Sequence, residues 1–213
     1  MKSRKMIITL LTVAFAFMLV FSGQTMAGET YKMGLSLAIT GPTSDVGSPY
    51  AKGAEDYVKY VNDEKLLGDD KLECFIRDDG YKTEVTKRNF EDFLDEEIVF
   101  YLNYSTGSTM ALRKDFQEEK IPVLPASFHA GNLEGNDYVF LPIASYSSQA
   151  VGLAEYVAAN HKGSDKPKVA LFLHPSAFGR APRDDVKKSI DAGLGIDLVE
   201  IVEHGKDLDN TAM

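Results

Sequence analysis

The sequence predicts an α/β fold in two parts, each a parallel sheet covered by helices, and three observations point to it. From Tyr31 onward, short apolar runs alternate with amphipathic stretches, the pattern of βα units around a parallel sheet. The same alternation restarts at Ser148, after an extended segment at 138–143. Beyond that restart there is room for about two strands and two helices before Met213, too few to cover both faces of a parallel sheet.

Each element follows from local pattern. Residues 31–39 form the first apolar run and Thr40-Gly41-Pro42 the turn after it; Tyr50, Ala54, Tyr57, Val58 and Val61 then recur at helical spacing, predicting a helix with one buried face. A second strand is expected at 72–77. Thr83 is expected to N-cap the next helix, which turns Thr86, Phe90, Phe93 and Leu94 inward, ahead of a third strand at 98–102. Residues 105–119 read as one helix and 121–124 as a fourth strand, while 138–143 is either a fifth strand or the crossing into a second lobe. There a helix at 148–161 carries Val151, Ala154, Val157 and Ala158 on one face, and 168–173 is a strand. Pro182, Asp184 and Asp185 suit the first turn of a helix bearing Val186, Ile190 and Leu194, with a last strand at 198–202.

Composition excludes several function classes. The 213 residues carry a formal charge of -9, which repels a phosphate backbone or an anionic membrane, so no nucleic-acid partner is expected. The single cysteine, Cys74, forms no internal bridge and no Cys-rich zinc site. Residues 1–27 do not belong to the fold: Lys2, Arg4 and Lys5 precede an apolar run at 6–21 and small residues ending at Ala27, the form of a cleavable signal peptide. Sixteen apolar residues fall short of the roughly 20 that span a bilayer. No cysteine stands near the cleavage point for lipid attachment, so the mature chain, with a charge of -12, is expected to be released into a bacterial periplasm.

Motifs for catalysis are missing. Residues 41–48 lack the lysine and spacing of a P-loop, and Gly193-Leu194-Gly195 lacks the third glycine of a dinucleotide fingerprint. His129, His161, His174 and His204 are dispersed and read as solvated or locally bonded. Asp78-Asp79 reads as a loop-capping pair rather than a metal or acid/base pair, since adjacent side chains point to opposite faces. With no recognisable set of nucleophile and base or metal cluster in the sequence, neither enzyme nor cofactor is expected. More informative is Ser105-Thr106-Gly107-Ser108-Thr109, where the third strand hands over to a helix. Its hydroxyls and N–H groups either grip an anion such as a carboxylate or serve as an ordinary N-cap, and sequence leaves both open. Pro125-Ala126-Ser127-Phe128 ends the next strand, and the carboxyl ends of parallel strands are where open α/β sheets place ligands.

In order and spacing, Leu37-Ala38-Ile39-Thr40-Gly41-Pro42, Gly47, Lys52-Gly53-Ala54-Glu55, Val61-Asn62, Arg77-Asp78-Asp79, Ile121-Pro122-Val123 and Phe178-Gly179 carry a family resemblance. The chain resembles the type I periplasmic substrate-binding proteins of branched-chain amino acid ABC transporters and their relatives for amides, urea and aromatic acids. The resemblance implies a two-lobed α/β clamp that closes on a small solute, such as an amino acid, and presents it to an inner-membrane ABC permease. It implies a first lobe at 28–143, a partial second lobe at 144–213, and a monomer. The resemblance places Ser105, which matches in residue type and has Thr106 beside it, and the loop Ala126, Ser127 and Phe128, which departs in type, where relatives hold the ligand's carboxylate and ammonium. Phe128 or His129 replaces a threonine common there, which weakens the carboxylate inference. Val46 occupies an often aromatic place and Phe178 a frequent tyrosine, which points to an apolar or aromatic solute.

The relatives' disulfide has no counterpart, because Tyr81 and Tyr104 stand near the expected cysteines; Cys74 is expected to be a buried strand residue. Relatives run on well past the point matching Met213, so the chain is expected to be C-terminally truncated, lacking an acidic ligand contact and an aromatic wall. Uncovered apolar surface and strand edges would then be an aggregation hazard. The rival readings are a ligand-sensing module for a receptor, an exported enzyme and a non-functional truncated product.

Overall fold

A computed structural model describes residues 28–204, so the expected signal segment at 1–27 lies outside the described residues. Four parallel strands form the first sheet: β1 (Thr30–Leu37), β2 (Lys71–Asp78), β3 (Phe100–Asn103) and β4 (Val123–Pro125), in the order β2-β1-β3-β4. Between them run α1 (Ser44–Asp63), α2 (Thr83–Asp95) and the consecutive short helices α3 (Thr106–Ala111) and α4 (Arg113–Glu119). β1 is central and buried along its last five residues, the hallmark of a strand covered on both faces.

Strand parity divides the core in two. Met33, Leu35 and Leu37 of β1 point to the face covered by α1, where Ala51 meets them with Cys74 and Ile76 of β2 and Phe100 and Leu102 of β3. Tyr101 and Val123 point the other way, into a cluster with Phe90, Phe93, Leu112 and Phe116. Phe90 packs on Tyr101 and on Phe116 at centroid distances of 5.0 Å. Gly34 makes room there, because a Cβ would stand 2.8 Å from the Phe93 ring.

The second lobe holds α5 (Tyr146–Asn160), β5 (Lys168–Leu173), α6 (Ala177–Arg180), α7 (Arg183–Asp191) and β6 (Asp197–Glu203), its two strands pairing in parallel. Ala154, Leu173, Val186 and Ile196 are its buried apolar residues, while Leu153 and Phe172 each stay 65% exposed.

Several local expectations need correction. The N-cap of α2 is Lys82, without a side-chain bond, and Thr83 is already helical. Residues 105–119 are not one helix but α3 and α4, broken at Leu112, whose side chain turns into the core. Tyr57 is 62% exposed, because Gly47, Ala51 and Val61 form the buried line of α1 and Tyr57 lies off it. Residues 138–143 make no full strand: Val139 forms a single parallel bridge with Val123. Leu194 falls beyond α7, and Cys74 is only half-buried, its thiol pushed up to about 11 by that burial.

Candidate functional site

The four loops that follow the strands of the first sheet converge on one cavity of about 450 Å³. After β1 come Pro42, Thr43, Asp45, Val46 and Tyr50; after β2, Tyr81; after β3, Tyr104 and Thr106; after β4, Ala126. Tyr146, His174 and Phe178 of the second lobe close the other side. Strand order explains the place, since the chain moves outward from β1 to β2 and then returns to β3 on the far side, leaving a crevice at the carboxyl ends.

Local chemistry aims each side chain. Asp78 accepts hydrogen bonds from the Thr40 amide and hydroxyl and from the Gly80 amide, tying the loop after β2 to the loop after β1. Burial pushes its carboxyl up, but these bonds outweigh it and hold Asp78 below the usual range. Asp79 accepts from the Tyr81 amide (2.8 Å) and the Thr86 hydroxyl (2.9 Å), which fixes Tyr81 at a left-handed φ of 64°. Both aspartates therefore cap loops, and through them Tyr81 reaches the cavity. Its ring meets Tyr104 at 6.1 Å, and Tyr104 meets Tyr50 at 6.3 Å. Burial pushes the Tyr50, Tyr81 and Tyr104 phenols up, so all three stay neutral near pH 7.

Beneath this wall lies a buried hydroxyl network. Ser105 is the N-cap of α3, its Oγ accepting from the Ser108 amide at 3.1 Å and lying 2.6 Å from Ser108 Oγ. Asn103 donates to Ser108 Oγ and Thr109 Oγ1. Ser127 donates to Thr106 Oγ1 at 2.7 Å, joining the end of β4 to the start of α3. On the opposite side Tyr146 packs edge-on against Phe178 at 5.0 Å and at a tilt of 57° against Phe128 at 5.6 Å, and its amide donates to the Phe128 carbonyl at 2.9 Å. The Tyr81 phenol interacts across the cleft with the Ser176 hydroxyl, which itself bonds His174 Nδ1 at 2.8 Å.

Of the residues singled out from sequence, Val46, Thr106, Ala126 and Phe178 line the cavity. Ser105 and Ser127 lie buried behind it, engaged in the hydroxyl network, and Phe128 backs Tyr146. Sequence reasoning did not single out Asp45, Tyr50, Tyr81, Tyr104 or Tyr146 as site residues. A signal was present, because Tyr81 and Tyr104 each stand just beyond a strand end. No group of three metal-ligating side chains occurs among the described residues, and no helix among them is long and apolar enough to cross a membrane. A second hollow of about 560 Å³ adjoins the cleft, sharing Tyr146, His174 and Phe178 and reaching Leu153, Phe172 and His204.

Comparison with known proteins places this architecture. A solved branched-chain amino acid ABC transporter protein from Thermus thermophilus with bound valine superposes with a TM-score of 0.80 at 43% identity, over 88% of this chain and 49% of that one. An ABC transporter substrate-binding protein from Aeropyrum pernix gives 0.74 at 29% identity, over 84% and 47%. A leucine-, isoleucine-, valine-, threonine- and alanine-binding protein of Pseudomonas aeruginosa is 23% identical over 189 residues, which is 87% of this chain and 50% of that protein. The chain thus spans about half the length of the curated relatives it matches. The family described as periplasmic binding protein matches residues 30–212, nearly the whole length of both sheets and the cleft between them, and the chain belongs to that family.

Proposed function

We propose that this protein is an extracytoplasmic solute-binding protein that holds a small apolar or aromatic solute, an amino acid or amide among them, between its lobes and delivers it to an ABC permease. The observation that carries the reading is the 450 Å³ cavity lined from both lobes, a volume suited to a small molecule. Closure of one lobe on the other is then driven by whatever the solute touches on both sides. Val46, Thr106, Ala126 and Phe178 contact the solute; Ser105, Ser127 and Phe128 hold the loops that present those contacts. The signal segment at 1–27 directs export, which suits a protein that meets its solute outside the cytoplasm.

The test is thermal unfolding of the full chain with leucine, valine, phenylalanine and leucinamide. A ligand at a hundred times its Kd raises stability by about 2.7 kcal/mol, so a bound solute lifts Tm measurably. Phe178→Ala lowers that shift. No change in Tm with any of the four, confirmed by calorimetric titration, overturns the reading.

A further inference from the structure

We propose that the cleft selects a solute that carries both an aromatic ring and an ammonium group, and that Asp45 reads the charge. The inference rests on the solute-binding reading above and names the class of molecule that the same cleft takes.

The ring requirement comes from the two walls. Tyr104 stands between Tyr50 and Tyr81, at 6.3 and 6.1 Å, so the first lobe presents a continuous row of three rings. Tyr146 and Phe178 face it from the second lobe as an edge-on pair at 84°. An aliphatic side chain entering this space gains only from its buried area, whereas an arene also gains from offset and edge-to-face contacts with rings on both sides.

The charge requirement comes from what surrounds the rings. Aromatic faces are negative and attract cations. The phenols here are neutral, so they add no charge of their own, and Asp45 is the sole carboxylate among the residues lining the cavity. No lysine or arginine is among those lining residues. A carboxylate-only solute would meet ring faces and Asp45 with no lysine or arginine to offset them and His174 as the sole basic side chain of the lining, in a chain whose formal charge is already -9. An ammonium meets the ring faces and Asp45 favourably. Asp45 also suits the first turn of α1 through the helix dipole, but any position around that turn would serve the helix, and this one lies among the rings.

The experiment is calorimetric titration of the full chain with 2-phenylethylamine, 2-phenylethanol and 3-phenylpropanoate, which share a ring and differ in charge. The expected order of affinity is amine, alcohol, acid. The amine-to-alcohol ratio falls as salt is raised from low ionic strength, and it falls about three- to fivefold in Asp45→Asn, the scale of an exposed ion pair. Unfolding of Asp45→Asn without ligand checks that the fold is kept, and Asp45→Glu restores part of the ratio. An acid that binds as tightly as the amine, or a ratio that Asp45→Asn does not move, overturns the proposal. If leucine or valine binds and none of the three probes does, the solute-binding reading stands and this one falls; if no solute of either set binds, both fall.

Discussion

Asp79 is a buried carboxylate whose work is done on its own loop. Burial pushes its carboxyl up, with the Tyr81 amide and Thr86 hydroxyl pulling it part of the way back. Because its folded-state pKa lies above the unfolded one, ionisation costs the folded state above the folded pKa, and the cost fades as pH falls through that value toward the unfolded pKa. Asp79→Asn is therefore expected to raise Tm at pH 7, with the gain shrinking as pH falls into the carboxylate range. The hydrogen bonds survive in that variant: the asparagine oxygen accepts from Tyr81 N, its amide donates to Thr86 Oγ1, and Thr86 turns its proton to the Lys82 carbonyl at 3.1 Å. Asp79→Ala removes both acceptors and is expected to cost about 1–3 kcal/mol. Thermal melts of the two variants across pH 4 to 8 check the pair, since a loss in Asp79→Asn that equals the loss in Asp79→Ala would contradict the argument. Gly47 makes the complementary point about space. A Cβ there would stand 2.1 Å from the Ala38 carbonyl oxygen, so α1 starts directly against the end of β1. Gly47→Ala is expected to destabilise by about 1–3 kcal/mol, the range for overpacking, read as a lower denaturation midpoint with an unchanged slope.

Among the elements, helix ends repeat one solution with different residues. α2 closes in a Schellman motif, with Glu97 N donating to the Leu94 carbonyl and Ile98 N to the Phe93 carbonyl, while Ile98 and Phe93 join the same core cluster. α7 closes the same way through Gly193 at φ 100°, and α1 through Lys65 at φ 51°. Glu97, at φ 59°, pays the left-handed penalty that glycine avoids. Glu97→Gly is expected to stabilise by about 0.5–1 kcal/mol, the penalty relieved less the added freedom of the unfolded chain. A denaturant midpoint that falls instead would show that the glutamate side chain matters more than its backbone. The break at Leu112 is of a different kind. Leu112 is 1% exposed and Phe116 fully buried, and the turn between α3 and α4 lets both reach the core while Thr106 stays anchored to Ser127 beyond β4.

At the scale of the whole molecule, the first sheet is covered on both faces, while among the described residues the second lobe leaves large apolar side chains exposed. Phe172 on β5 and Leu153 on α5 are each 65% exposed, and Val199 on β6 is 58% exposed. Apolar surface of this kind promotes association. Phe172→Lys is expected to raise the protein concentration at which light scattering begins, while moving Tm little because the side chain has little contact to lose. A Tm drop of several degrees would place Phe172 in the core instead. Polar contacts between the lobes include Tyr146 Oη to the Ala126 carbonyl at 3.3 Å and the Tyr146 amide to the Phe128 carbonyl at 2.9 Å.

What sequence alone determined is the alternation of strands and helices, the two-lobe grammar and the crevice at the strand ends, because hydrophobic period and turn residues are local properties of the chain. Thus β1, β2, β5, α5 and the placing of Thr106 and Ala126 at strand ends follow from runs visible in the residues themselves, while Val46 and Phe178 were singled out through the family resemblance. Only the tertiary structure decided that Ser105 and Ser127 turn into a buried network, that Leu112 breaks a helix, and that Tyr50, Tyr81 and Tyr104 meet in one wall. Those outcomes depend on which loops a sheet order of β2-β1-β3-β4 brings side by side. The three tyrosines are separated along the chain by more than twenty residues at each step, and the pairing of parallel strands, which no local pattern encodes, is what places them together.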